Sequence, residues 1–553
     1  MKKIYSTIVF AFAVQLVSAQ WSNDSTQNTV VKDNAGVDEV TPLQATAPNG
    51  YTYVSWFETD GANYDARMQL FDVQGNKLWG DDGLLVSNHP TGSALYIYNL
   101  GVDNDGNAIL AFQDERTGNL QPVVYKLDQS GNFIWGNDGI VLHDTSATFE
   151  VAPAIGVLEN NDVIIAWNAS ATKKWIAFQK ITADGNLGWS ANKNIKSNSK
   201  NYSRAEFVNL DDETFMMSYV QETGSFPSVT SIIYADHYDS SGNALWTTPT
   251  KSSTYSTSFF EWPVVAGDGK KGILIAFNGG EPGNPSINDA FIQRIDSNGN
   301  NLFGTNGTEI AVFANNHRLV SGISYLSNSD QIGVSLQVLD NSQNQSGIYA
   351  QKIDSSGNRL WGDTGYELLS LSSSDYRTPF GIARADDGWM VAYTDGGVIT
   401  QNFKVIKFDL NGNAIWNKMI SAVSSNKYDA TMGAFMNDQE VVVWYDQRSG
   451  GGVYAQNITG EGNLGVVATS LENAQQSFVT VFPALAHDIL FISGNEKLSA
   501  AEFRIFDVTG IEKLNPTLNA GINELNISAL PSGIYFYSIQ EKGKIQSGKF
   551  CKQ

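Results

Sequence analysis

The chain has little cysteine, little histidine and little positive charge. Its single cysteine is Cys551, close to the C-terminal end of 553 residues. One cysteine excludes an intramolecular disulfide, a cysteine metal cluster and thiol chemistry in the body of the chain. The five histidines, His89, His143, His237, His317 and His487, are dispersed and never fall at a metal-ligand spacing. Neither a metal site nor a cofactor is expected. Lys and Arg total 35 against 57 Asp and Glu, a formal charge of −22. That acidic balance argues against a nucleic-acid partner, which needs Lys/Arg clusters, and against an anionic membrane surface. Beyond the N-terminus no run is apolar enough to span a bilayer. Charged residues make up only 17%, while Gly numbers 51 and aromatics reach 11%. Such a composition suits strands and tight turns, not long solvated helices. The apolar fraction of 42% suffices for a core.

The first residues read as a targeting segment. Lys2 and Lys3 precede a mostly apolar stretch from Ile4 to Val17, and Val17-Ser18-Ala19 places small residues at a cleavage position. This is the layout of a secretory signal peptide over residues 1–19, with Gln20 starting the mature chain. No cysteine follows that position to carry a lipid anchor.

Repetition dominates the body of the chain. Phe71-Asp72-Val73-Gln74-Gly75-Asn76-Lys77-Leu78-Trp79 returns as Leu127-Asp128-Gln129-Ser130-Gly131-Asn132-Phe133-Ile134-Trp135. A Gly-Asn pair recurs at Gly75, Gly131, Gly185, Gly242, Gly299, Gly357, Gly412 and Gly462. Asp stands three residues before the glycine, except for Thr182 and Thr459. The Asp or Thr side chain can accept from its own downstream backbone, Gly takes a positive φ and Asn tolerates one, so the motif is a hairpin turn. Strands flank it: Ile348 to Ile353 before, and Arg359-Leu360-Trp361 opening a second strand after. An earlier strand pair, such as Ala152 to Ile155 with Val163 to Trp167, or one containing Val441 to Trp444, completes four strands per repeat of about 55 residues. Tandem four-stranded antiparallel units without crossover helices read as β-propeller blades. Trp follows the motif glycine by four residues at Trp79, Trp135, Trp189, Trp246, Trp361 and Trp416; Phe303 and Val466 stand there in the other two. The eighth unit lacks its last strand. Trp21-Ser22-Asn23-Asp24 resembles Trp135-Gly136-Asn137-Asp138, so Thr29-Val30-Val31 is expected to complete the last blade and remove the open edge. The expected fold is all-β: an eight-bladed propeller over residues 20–468, a linker at 469–477 and a small C-terminal β-sandwich over 478–553.

The Asp-x-x-Gly-x-x-x-Trp pattern resembles the tryptophan-docking motif of eight-bladed quinoprotein propellers. It resembles the sialidase Asp-box only loosely, because the Gly and Trp spacings differ. The resemblance implies that the tryptophans pack between blades and says little about activity. A quinone-dependent oxidoreductase is disfavoured, since that family uses a calcium ligand set and often a vicinal Cys pair.

The C-terminal segment follows another pattern. Phe506-Asp507-Val508-Thr509-Gly510, Leu530-Pro531-Ser532-Gly533-Ile534-Tyr535 and the terminal Lys549-Phe550 resemble the sorting domain of type IX secretion cargo: an aromatic-Asp-x-x-Gly hairpin, a Leu-x-x-Gly-hydrophobic-Tyr strand and a basic-aromatic end. Pro483-Ala484-Leu485 replaces the family's Pro-Asn-Pro opening. The resemblance implies recognition by the type IX secretion machinery, passage through the periplasm, and release or attachment at the outer cell surface.

Blade topology fixes which loops share a face. Asp103-Asn104-Asp105-Gly106 resembles a fragment of a calcium loop but lies where other blades turn, and is read as a plain turn. The opposite face carries the approaches to the innermost strands, with Glu39, Glu150, Glu261, Arg377 and Asp429, and the hairpins Asp114-Glu115-Arg116 and Asp446-Gln447-Arg448. These residues form either local Asp–Arg ties or an acid–base ring around the opening. Trp262 either stacks a sugar ring or belongs to the core. No histidine recurs on that face. The favoured reading is a non-catalytic binding or adhesion module for glycan or a surface protein. The alternative is a polysaccharide-degrading enzyme, which needs a paired acid and base or a Tyr/His/Arg set.

Overall fold

The computed structural model describes residues 20–465 apart from 60, 62, 93–96, 226–227, 259–261, 281–286, 386 and 398–399, and residues 479–553 apart from 483–484, 495–500, 509, 520–521 and 542–543. The signal segment at 1–19, the linker at 469–477, Glu261 and Pro483-Ala484 lie outside the described residues. The chain divides into two compact units, the first ending at Val467 and the second beginning at Ala468.

The first unit is built from eight four-stranded antiparallel sheets, and no helix occurs among the described residues. The first strand of each is innermost: Asp38–Thr46, Asn99–Val102, Phe149–Val157, Asn201–Asn209, Val264–Gly267, His317–Leu326, Thr378–Ala385 and Lys427–Met432, for blades one to eight. Each innermost strand touches the next, and the eighth touches the first, so the ring closes. The last blade is completed by Thr29–Lys32, which pairs antiparallel with Gly452–Thr459 in the register Thr29 to Ala455 and Val30 to Tyr454. The eight-bladed propeller sealed by its N-terminal strand is thus the fold the repeat pattern indicates.

The core lies between blades. Tyr53, Phe57 and Trp79 pack with Phe112 and Tyr125 across blades one and two, and Trp21, Val31, Trp56, Val443 and Val453 fill the seam between blades eight and one. The Asp-x-x-Gly-Asn turn supplies the pins. In blade one, Asp72 Oδ1 accepts from the backbone N–H groups of Gln74 and Asn76, both at 2.9 Å, and Oδ2 accepts from Asn76 Nδ2 at 2.7 Å. Five of the six docking tryptophans donate their indole N–H to the carbonyl of the residue after the motif Asp or Thr in the next blade. Trp79 reaches Gln129 at 3.1 Å, Trp135 reaches Ala183 at 3.0 Å, Trp246 reaches Ser297 at 2.8 Å and Trp416 reaches Gly460 at 3.1 Å. Trp21 performs the same contact on Val73 at 3.1 Å. Trp361 differs: it packs edge-on against Trp389 with ring centres 5.8 Å apart.

The fourth strand begins later than its sequence suggests. Arg359 makes only an isolated bridge with Ile353, and the ladder resumes at Tyr366–Ser372. In blade six the turns at Gly362 and Gly365, at φ 76° and 73°, intervene, whereas in blade seven the ladder runs through the tryptophan, Trp416 pairing with Lys407 within Ala414–Ser425.

The second unit packs a three-stranded sheet and a larger mixed sheet around Leu490, Phe503, Ile505, Leu530, Tyr535 and Phe550. Its Asp507 turn repeats the propeller device: Oδ1 accepts from Ile511 N–H at 3.1 Å, and Gly510 sits at φ 82°. Phe506 pairs in register with Phe536 on the strand that Gly533 opens. Tyr535 stacks on Phe550 at 5.6 Å and donates to the Pro531 carbonyl at 2.9 Å. Lys549, next to Phe550, is exposed.

Candidate functional site

Innermost strands carry bulges near their beginnings. The ladder shifts between Val40 and Leu43, Val151 and Ala154, Ser203 and Glu206, and Tyr428 and Thr431. Inside these bulges Thr41, Ala152, Arg204 and Asp429 adopt φ of 49°, 56°, 61° and 50°. Non-glycine residues hold this conformation only where neighbours impose it, and such positions cluster at functional sites. Here the preceding blade imposes it. Gln113 Oε1 accepts from Ala152 N–H at 3.0 Å, and Asn168 Oδ1 accepts from Arg204 N–H at 3.1 Å.

Beside these bulges, on the face indicated by the sequence, a cleft of about 660 Å³ opens between blades three and four. Asn168 and Lys174 line it from blade three, and Asn201, Ser203, Arg204 and Glu222 from blade four. Trp262, on the approach to blade five, and Ile97 close its apolar side. Trp262 is half-buried and Ile97 half-exposed, so aromatic and aliphatic surface borders the cavity. Arg204 Nη2 donates to Glu222 Oε1 at 3.0 Å, and both residues are buried. Lys174 is exposed at the rim, its backbone N–H donating to Asn201 Oδ1 at 3.1 Å.

The other sequence candidates fall elsewhere. Asp114 and Arg116 tie their own hairpin, Nη2 to Oδ2 at 2.6 Å, and Arg116 also donates to the Tyr125 hydroxyl at 2.8 Å. Asp446 and Arg448 repeat this at 2.5 Å, with Arg448 stacked 4.0 Å over the Tyr454 ring. Burial opposes ionisation of Asp446, but Arg448, Ser425 and Trp444 hold its carboxyl below the usual range. Of the two readings of these hairpins, the local tie is the one formed. Arg377 bonds Asp395 at 3.1 Å and the Ser370 carbonyl at 2.7 Å. Asp429 lines a smaller pocket of about 370 Å³ with Thr41, Leu43 and Tyr98, and its surroundings raise its pKa by desolvation.

Glu39 and Glu150 do not line the central opening; they are 0% and 1% exposed. Both precede the bulge, where the strand still turns these side chains into the blade. Burial pushes the Glu39 carboxyl up to about 7, against the opposing hydrogen bond from Asn34 N–H. Its Oε2 is buried with no hydrogen-bond partner. Glu150 is fully engaged: Oε1 accepts from Asp144 N–H and from Trp167 Nε1, each at 2.8 Å, and Oε2 from His143 Nδ1 at 2.5 Å. The His143 side chain is 38% exposed. The buried Glu150 carboxyl thus orients a partly exposed imidazole through Nδ1.

The expectation that histidines avoid this face is corrected. His89, His143 and His317 all lie where an outermost strand leads into the next innermost one. Spacing arguments missed them because the three positions are far apart in sequence and only the blade repeat equates them. Asp103 forms a plain turn, accepting from Asp105 and Asn107 N–H at 3.0 and 2.8 Å and pairing with Lys126 at 2.8 Å.

No curated protein matches the chain in sequence. Among solved structures, one described as a polysaccharide lyase, an ulvan lyase, is 11% identical over 72% of this chain and 97% of its own, with a TM-score of 0.44. A protein of unknown function from Dyadobacter fermentans is 9% identical over 80% of this chain and 99% of its own, at 0.38. An endo-arabinase from Bacteroides thetaiotaomicron is 13% identical over 58% of this chain and 99% of its own, at 0.29. Residues 480–553 match the family described as the secretion system C-terminal sorting domain, the segment in which the Asp507 hairpin, the Gly533–Tyr535 strand start and the Lys549-Phe550 end fall, so this chain carries a type IX secretion sorting domain and is exported to the cell surface or beyond it.

Proposed function

We propose that the propeller is a secreted carbohydrate-binding module whose site is the cleft between blades three and four. The observation that carries this reading is its lining. Trp262 offers an apolar ring face, while Asn168, Asn201 and Ser203 present amide and hydroxyl groups suited to sugar hydroxyls. The proportions fit a few sugar residues. Glu222 is the one carboxylate among the described lining residues, and Arg204 holds it, so a pair of free carboxyl groups for glycoside hydrolysis is not assembled there.

Affinity electrophoresis of the full chain through gels cast with a panel of polysaccharides tests the reading. Retardation by at least one, weakened about tenfold in Trp262→Ala, is the expected result. Unchanged retardation in Trp262→Ala, or none with any polymer, overturns it. A second reading, a polysaccharide-degrading enzyme, is favoured by the His143–Glu150 dyad. It predicts shortened chains on size exclusion after incubation, with His143→Ala abolishing the shortening.

A further inference from the structure

The whole-chain charge hides a local reversal. Between residues 173 and 204 stand Lys173, Lys174, Lys180, Lys193, Lys196, Lys200 and Arg204, against the single acid Asp184, in a chain whose formal charge is −22. Blade topology then sorts these cations. Lys180 lies at the turn end of its strand and is bound to Asp162 at 3.1 Å. Lys173 and Lys174 sit on the second hairpin of blade three, and Lys196 and Lys200 on the connection from blade three into blade four. These four therefore share the face on which the cleft opens.

The hydrogen-bond partners of Lys196 and Lys200 are neutral groups, and the carboxylate acting on Lys196 is that of the buried Asp144. Lys196 Nζ lies 3.6 Å from the Trp175 ring centre and donates to the Ser146 hydroxyl at 3.1 Å. Lys200 Nζ donates to the Gln221 amide oxygen at 3.0 Å. Lys174 stands exposed at the cleft rim. The neighbouring acids are turned inward: Asp144, Glu150 and Glu222 are all buried, and the last two are paired. A cleft with an aromatic wall and polar lining thus lies beside a cationic rim on an otherwise anionic molecule. Such a field attracts polyanions to one place while the rest of the surface repels them.

We propose that the cleft takes an acidic polysaccharide, its carboxylate or sulfate substituents held by Lys174 and Lys200 and its flanking units by Lys173 and Lys196, while Trp262 packs on a sugar ring. This rests on the carbohydrate-binding reading and specifies its ligand class.

The test is affinity electrophoresis of the full chain in gels containing polygalacturonate, dextran sulfate or neutral dextran, with the triple variant Lys174→Gln/Lys196→Gln/Lys200→Gln alongside. All three lysines have side chains at the surface or bonded to neutral groups, and an unchanged thermal midpoint verifies the fold. The expected result is retardation by one or both acidic polymers, lost at high salt and about tenfold weaker in the triple variant, with little effect from dextran. Retardation by polygalacturonate alone assigns carboxylate recognition, and by dextran sulfate alone, sulfate recognition. Salt-independent binding to dextran that Trp262→Ala removes overturns the acidic ligand but keeps the carbohydrate reading. Acidic-polymer binding that the triple variant leaves intact, or equal retardation by single-stranded DNA, overturns the site as drawn. No retardation by any polymer sinks both.

Discussion

Glu39 shows how one side chain carries both a fold constraint and a measurable signature. Its carboxyl is desolvated, one oxygen lacks a partner, and Glu58 and Asp33 lie close enough to add repulsion. A carboxyl raised to about 7 binds its proton more tightly folded than unfolded, so its stabilising contribution is complete below about 4.5 and is lost as pH rises through about 7. Glu39→Gln keeps an acceptor for Asn34 N–H and adds a donor facing the acidic neighbours. The variant should match the parent near pH 4 to 5 and exceed it in thermal stability at pH 8, by about 1–3 kcal/mol, the usual cost of a buried unsatisfied polar group. Thermal unfolding at the two pH values checks this, and a constant difference between the proteins contradicts it. At this scale the sequence is an uneven guide. Asp114–Arg116 and Asp446–Arg448 are readable because two residues within one hairpin meet whatever the rest of the chain does. Glu150 and His143 are not, because their contact depends on how a connection folds back onto a strand.

The turn that joins each third strand to the tryptophan segment was readable for the same local reason, and its second role emerges only between blades. Gly185 has φ 85°, and a Cβ there would stand 2.7 Å from Trp135 Cδ1. Gly136 has almost the same φ, 87°, with nothing within 4 Å. Alanine at Gly136 should cost only the backbone term, about 1–2 kcal/mol. Alanine at Gly185 should add the cost of displacing the indole, a further 1–3 kcal/mol or so. Urea unfolding of both variants separates the two terms; equal losses mean that the ring moves aside freely and that the glycine serves the turn alone. What sequence periodicity placed badly was the fourth strand. It reads through the tryptophan, which holds in blade seven, where Ala414–Ser425 contains Trp416, whereas in blade one the ladder resumes only at Leu84–Ser87. A pattern within one repeat records the spacing of the tryptophan but not the direction its ring takes.

At the scale of the whole molecule, averages mislead and closures inform. A formal charge of −22 argues against clustered lysines, yet the rim of blades three and four carries them, since a sum over 553 residues cannot report where charge resides. Ring closure, by contrast, was visible because the two ends are complementary: a last unit lacking a strand and a first segment repeating the tryptophan motif. That complementarity has an energetic consequence. Trp21 is buried, stacks on Phe71 with ring centres 5.2 Å apart and bonds the Val73 carbonyl, and Trp79 makes the equivalent hydrogen bond one blade further on. Removing either ring should cost about 3–5 kcal/mol. The two losses should nevertheless spread differently. Trp79 lies in mid-chain between Asp65–Phe71 and Leu84–Ser87, which pair with each other, and its backbone N–H donates to Gln69 Oε1, so Trp79→Ala should leave the ladders intact. Trp21 leads into a four-residue strand whose ladder partners are at Thr29, Val30 and Lys32 and whose neighbours Ser22, Asn28 and Asp33 bond Gln456 and Tyr454. Trp21→Ala should loosen that strand, since it has a ladder partner on one side only, and expose Gly452–Thr459 as an edge. Hydrogen exchange is the direct measure. In Trp21→Ala, protection should fall together at residues 29–32 and 452–459 and the protein should begin to self-associate, whereas Trp79→Ala should lose protection only around the turn at Asp128. Retained protection at 29–32 in Trp21→Ala would mean that the strand pairing alone seals the ring and that the indole merely packs.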